Sequence, residues 1–213
     1  MTVETLIEQI LSKMPRIGKV QSHFFTNLVR QWLFLRGRYC FENLNRQGFL
    51  KAESYRKHFS RFFDFAGFNH LLISDHASDE LSVAFDPCFV SKSGKHTFGL
   101  SRFWSGCAQS VKWGLEVAAL AVVDVKNHTA FHYMATQTQL KEGQTPMQFY
   151  IAFIEEYLFE LKQLSSYIVV DAFFAKHEFI AAMQQNGVHV ITRLWDDAAL
   201  WYLYKHVGDK KAG

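Results

Sequence analysis

Two acidic residues stand in surroundings where acids are rare. Asp86 interrupts the apolar run Val83-Ala84-Phe85-Asp86-Pro87, and Asp171 directly follows Tyr167-Ile168-Val169-Val170. Each would break or end a buried strand, where a lone carboxylate is costly to ionise without a partner. A divalent cation is one such partner. Oxygen-only donors suit Mg2+ or Mn2+, and two carboxylates on adjacent strands could share such ions in a two-metal phosphoryl-transfer site. The other reading is structural: Asp at a strand end often caps the next helix, and a helix can begin in 172–176.

Other polar residues point less sharply. Asp124, in Val122-Val123-Asp124-Val125, precedes a hairpin turn and is read as structural. His128 and His132 share a face of a strand-like stretch, without the Cys or helical Glu that a zinc site would add. The sequence contains no GxxxxGK[ST], GxGxxG or GxSxG. Ser91-Lys92-Ser93-Gly94-Lys95 is polar and succeeds a strand but lacks the spacing of a phosphate-binding loop.

The elements that must position these residues change character along the chain. Leu6, Ile10 and Leu11 share a face of a first helix that should end before Pro15. Residues 20–35 read as a second helix, with Phe24, Leu28, Trp32 and Leu35 as its buried stripe. Arg36-Gly37-Arg38 interrupts it. A short helix over 41–45, a turn at Gly48 and a basic helix over 52–63 then give the outline of a helix-turn-helix. In it, Lys51, Arg56, Lys57 and Arg61 face outward, while Tyr55, Phe59, Phe62 and Phe63 pack inward. From about Asn69 the pattern is expected to turn to strands: 81–90, then a hairpin of 114–125 and 129–138, then 167–170 and 188–192. Helices are expected over 147–164 and 175–185, the latter stopped at Asn186-Gly187. The result is an α/β fold, a helical region over 1–68 and then a mixed sheet flanked by helices over 69–213.

Composition narrows the function classes. The chain has 213 residues, 49% hydrophobic, with only 3 Pro and 12 Gly, which suits a packed core and not a disordered or low-complexity protein. Net charge is only +3, but it is unevenly placed. Ten basic residues lie between Arg16 and Arg61 against Glu42 and Glu53 alone, and the rest of the chain is net acidic. Such an excess fits a phosphate-binding module, or a solvated face of a helical bundle. Cys40, Cys88 and Cys107 are odd in number and far apart, which argues against disulfides and predicts reduced, buried thiols. No signal-peptide core lies in 1–13, and the longest apolar run, 117–123, is too short to span a bilayer. A soluble, cytoplasmic protein is expected.

Several blocks resemble the DDE transposases of bacterial insertion sequences. The stretch from Ala84 through Asp86, Ser91-Lys92-Ser93-Gly94-Lys95 and His96-Thr97-Phe98-Gly99-Leu100 is similar to that family's first-aspartate block. Phe103-Trp104-Ser105-Gly106-Cys107 and Lys112-Trp113-Gly114-Leu115-Glu116 also look like segments of that family. Val169-Val170-Asp171-Ala172-Phe173-Phe174-Ala175-Lys176 resembles the second-aspartate block, and Val190-Ile191-Thr192-Arg193-Leu194 with Asp197-Ala198 and Leu200 the next strand and turn. Upstream, Arg36-Gly37-Arg38, Asn43-Leu44 and Tyr55-Arg56-Lys57-His58-Phe59 resemble its N-terminal region. The blocks are collinear over most of the chain.

The resemblance implies a ribonuclease-H-like catalytic domain behind a helical DNA-binding region. It also implies Mg2+- or Mn2+-dependent cleavage and transfer of duplex DNA at the ends of a mobile element, within a homodimer or larger synaptic assembly. Asp86 and Asp171 would be catalytic metal ligands, and Arg36, Arg38, Lys51, Arg56, Lys57, Arg61, Lys92, Lys95 and Arg193 would contact DNA. The family's third carboxylate, in a Tyr-x-x-Arg-x-x-x-Glu-x-x-x-x-x-x-Lys pattern, has no counterpart here before the chain ends at Gly213, and Trp195 stands where a basic residue is usual. The expectation is a transposase or transposase fragment, inactive alone for want of that ligand. Two alternatives stay open: a non-catalytic DNA-binding module, and a metal nuclease completed by Asp196 or Asp197.

Overall fold

A computed structural model describes residues 2–94 and 96–198. Lys95 and Leu200, singled out above, lie outside the described residues.

The chain begins with helices α1 (Val3–Ser12), α2 (Lys19–Phe34), α3 (Phe41–Gln47), α4 (Ala52–Phe59) and α5 (Phe65–His76). Thr2 caps α1 through its side chain, and Ile7, Ile10 and Leu11 form its buried face. Helices α2, α3 and α4 enclose Phe24, Leu28, Leu35, Leu44 and Tyr55. Gln31 ties the three together: its side chain accepts from the Tyr55 hydroxyl and donates to the Leu44 carbonyl at 2.7 Å. A Cβ at Gly48 would fall 2.0 Å from that amide, so any larger residue in the turn after α3 would displace the Gln31 side chain.

Two expectations fail at α4. The helix ends at Phe59 rather than 63, because Asp64 already caps α5 through the Gly67 N–H. Phe59 is half-exposed with its ring edge-on to Phe24, Trp32 and Phe41, Phe62 is 84% exposed, and Phe63 turns inward, stacked on Phe25 at 4.2 Å. The helical pattern also continues through α5, beyond Asn69, where strands were expected to begin. Helix α5 packs on both α1 and the sheet, and its Asn69 donates to the Tyr133 carbonyl.

The sheet comprises β1 (Leu81–Ser91), β2 (Ser101–Ser105), β3 (Ser110–Asp124), β4 (Thr129–Gln137), β5 (Tyr167–Val170) and β6 (His189–Thr192). Strand order is β2-β3-β1-β5-β6, with β4 also paired to β3. Strands β1 and β3 are antiparallel, whereas β1, β5 and β6 run parallel. This is the α/β mixed sheet, with N-terminal helices, that the periodicity implied. Strand β2 was not foreseen, since its polar residues do not alternate with apolar ones.

Between β4 and β6 come α6 (Pro146–Glu156), α7 (Leu158–Leu164), a 3-10 turn (Ala172–Phe174) and α8 (His177–Gln185). The single helix expected over 147–164 is therefore two, broken at Tyr157. Thr145 and Gln148 form a reciprocal capping box at the start of α6. Gly187, at φ +72°, closes α8 as expected.

One face of the sheet carries Val83 and Phe85, Leu120 and Val122, and Ile168 and Val170 into a core shared with α5, α6, α7 and α8. The opposite face is partly open. Strand β5 alternates exposed and buried, leaving Tyr167 and Val169 accessible, so it is half-buried and not the fully buried strand expected from its apolar sequence. The cysteines also depart from expectation, for all three are free and exposed. Cys40 precedes α3, Cys88 lies on the open face of β1, and Cys107 sits in the β2–β3 turn.

Candidate functional site

Register places the two aspartates together. In the parallel β1–β5 pair, Ala84 faces Val169. Two residues further along each strand direction stand Asp86 and Asp171, on the same open face because strand side chains alternate. Neighbouring strands lie about 4.8 Å apart, so the carboxylates are side by side. Strand β6 extends the row: Val170 faces Thr192, which puts Arg193 opposite Asp171 one step past the last pair. Thr192 fastens this end, its hydroxyl donating to the Asp171 carbonyl at 2.7 Å.

The two carboxylates differ in their partners. Asp171 does cap the 3-10 turn, accepting the Phe173 N–H at 3.0 Å on one oxygen, so the structural role of a strand-end Asp is realised. Its other oxygen accepts no hydrogen bond among the described residues. Asp86 makes no side-chain hydrogen bond among the described residues. Burial, then the neighbouring charges of Asp171 and Glu116, raises its carboxyl above the usual value. A like-charge pair of this kind is what a divalent cation relieves. Among the described residues no third His, Cys, Asp or Glu joins them in a metal-holding group, and Asp196 and Asp197 are not brought to them.

Glu116 was not foreseen as part of this region. It is the sole acidic residue in the β3 run before Asp124, which was its available signal. Lying on the covered face opposite Phe89, it is buried and accepts the Tyr150 hydroxyl from α6. Burial, then this bond and the Glu116 charge, drives the Tyr150 phenol far up. The pair pins α6 beneath the Asp86 end of the sheet.

Asp124 is structural, as expected. It is fully buried at the β3 end and accepts four hydrogen bonds, from the backbone and side chain of Ser78 and of Asn127. Burial pushes its carboxyl up, but these bonds outweigh it and hold it well below the carboxylate range.

The basic candidates that are described lie at the surface, in two places. Arg36, Arg38, Lys51, Arg56, Lys57 and Arg61 are exposed on the helical region, Lys92 and Arg193 on the sheet side. Asn43 and Gln47 hold the Arg36 carbonyl and fix the α2–α3 turn, where Gly37 adopts φ +88°. Arg56 pairs with Glu42 and lies over the Phe41 ring, joining α4 to α3. His58 records the local field: burial, then Arg61 and Lys57, lowers its pKa.

No protein-family model matches the chain, and no curated protein matches it in sequence. Among solved structures it aligns with the piggyBac transposase in a cryo-EM structure of its synaptic complex with hairpin DNA, at a TM-score of 0.37 and 14% identity. The alignment covers 92% of this chain and 41% of that one, so this chain spans about two fifths of that protein's length. Among the described residues no helix is long and apolar enough to cross a membrane.

Proposed function

We propose that this chain is a transposase-type protein of ribonuclease-H-like fold that acts on duplex DNA through Asp86 and Asp171. The observation that carries the reading is their register: adjacent parallel strands, one open face, oxygen donors only. A Mg2+ or Mn2+ ion held there would polarise a phosphodiester and activate a water or hydroxyl oxygen. Asp171 is oriented by the Phe173 N–H and the Thr192 hydroxyl, while Asp86 keeps both oxygens free of protein partners among the described residues. Mg2+ is commonly bound by one or two carboxylates together with substrate phosphates. A phosphate of bound DNA would complete the donor set, and Arg193, one step past the last β5–β6 pair, would hold a phosphate oxygen.

The basic helical region supplies the second part. Its exposed cations would neutralise backbone phosphates, giving affinity without sequence reading. A second reading, a DNA-binding protein without catalysis, is favoured by one observation, the excess of ten basic residues over two acidic ones between Arg16 and Arg61. Incubation of supercoiled plasmid with Mn2+ separates the two. The first reading expects slow nicking by the full chain and none by Asp86→Asn. Equal nicking by both proteins would overturn it, and binding with no nicking by either leaves the second reading standing.

A further inference from the structure

The hairpin of β2 and the first part of β3 is a separate feature on the same open face. Gly114 faces Ser91 of β1 on one side and Ser101 of β2 on the other, so β2 extends the edge of β3 beyond β4. Arg102 faces Trp113 and Trp104 faces Val111. Alternation puts these four side chains on one side of the hairpin, the side that continues through Val117 and Ala119 to Asp86. Trp104 is 61% exposed and Trp113 60%. Phe98, in the preceding loop, is 76% exposed. Gln137, opposite Val117, donates to the Phe98 carbonyl at 3.0 Å and ties that loop to the rim of the face. Gly99, at φ +69°, allows it, for a Cβ there would meet the Gln137 amide.

Large exposed aromatics in a patch mark a contact surface. Charge selects the partner. From Cys88 to Gly114 the sequence has Lys92, Lys95, Arg102 and Lys112 and no Asp or Glu. Two copies of such a segment repel each other, whereas a polyanion is attracted. Indole rings add what a duplex backbone cannot use, a face for an unstacked base. Trp104 and Trp113 are diagonal neighbours, roughly 7–8 Å apart at the backbone, about two base-stacking distances. Trp113 lies roughly 20 Å along β3 from the level of Asp86, a span that about six stacked nucleotides, or fewer extended ones, would cover.

We propose that the β2–β3 hairpin is a subsite for unpaired DNA, with Trp104 and Trp113 stacking on bases and Arg102, on the same side, holding a phosphate. It receives a single-stranded segment continuous with the strand whose phosphate lies at Asp86 and Asp171. This rests on the DNA-directed reading above and adds the form of DNA recognised.

The experiment compares three oligonucleotides without added metal: a blunt duplex, the same duplex with an unpaired thymidine tail, and the tail alone. Binding of the full chain is followed by gel shift and by tryptophan fluorescence. The tail is expected to tighten binding by about tenfold or more and to quench fluorescence. Trp104→Ala with Trp113→Ala removes that gain and leaves blunt-duplex affinity unchanged, and Trp104→Phe retains part of it. Both indoles are mostly exposed, so thermal unfolding of the variants should match the wild type. If the wild type binds blunt duplex but gains nothing from the tail, or the double variant keeps the gain, the subsite is overturned and the DNA reading stands. Conversion of a dimer to a monomer by the double variant, with the tail effect intact, overturns it equally. If no oligonucleotide binds, the DNA reading itself falls, and the subsite with it.

Discussion

The helical region and the open face of the sheet display charge in opposite ways. On α2 to α4, cations of long, flexible side chains spread over a solvated surface, and those that pair do so with partners that are themselves exposed, as Arg56 does with Glu42. On the sheet, two short carboxylates are fixed by backbone register, one with its bonds already used in part and the other with none among the described residues. The first arrangement averages over many contacts and should weaken by degrees. The second depends on single atoms and should fail at once.

The sharpest way to break that contrast is at Asp86. Asp86→Asn, nearly the same in shape, is expected to lower metal-dependent nicking by roughly a thousandfold, since a lost ligand removes several kcal/mol of transition-state stabilisation. A plasmid-nicking rate within a few-fold of wild type would remove the distinction between the regions. Next in size is the packing beneath the site. Phe85 is buried against Tyr150 and Phe174, so Phe85→Ala should cost about 3–5 kcal/mol in urea unfolding. Phe62→Ala, by contrast, should leave stability within about 0.5 kcal/mol.

Graded loss is expected in the helical region. Arg56→Ala with Lys57→Ala should weaken duplex binding moderately and reduce the slope of log affinity against log salt by about 1–2. An unchanged slope in a salt titration would show that α4 does not meet phosphate. The smallest effect concerns stability without metal. Because the folded protein raises the Asp86 carboxyl, the folded state binds that proton more tightly than the unfolded chain does. Stability is therefore lost as pH climbs from the ordinary carboxylate value through the raised one. Asp86→Asn should melt higher than wild type above the raised value, with the gap closing in acid; no gap by calorimetry would mean that neither burial nor the charges of Asp171 and Glu116 disfavour the Asp86 carboxylate.

How much of this was legible in the sequence varies with the range of the physics. Helix α1, strand β1 and the β3–β4 hairpin arise from local periodicity, and the cap at Gly187 from one residue type. The role of Asp124 was also local, since its partners Asn127 and Ser78 include its own turn. Phe62 was misplaced because its helix is ended by a cap at Asp64 that competes with the apolar pattern. Strand β2 and the split at Tyr157 depend on pairing and packing with distant segments, which periodicity does not encode. The aspartate pair was half legible. Each residue stood out alone, but their common face comes only from the parallel register of β1 and β5. The exposure of Trp104 and Trp113, and the burial of Glu116 against Tyr150, needed the sheet itself.

Asp86 and Asp171 are proposed to hold a divalent ion together. Titration of the full chain with Mn2+ in the presence of duplex DNA, monitored by electron paramagnetic resonance, tests it most directly. Saturable uptake by the wild type is expected, weakened at least about tenfold by Asp86→Asn and by Asp171→Asn alike. Uptake that is the same in all three proteins would contradict it.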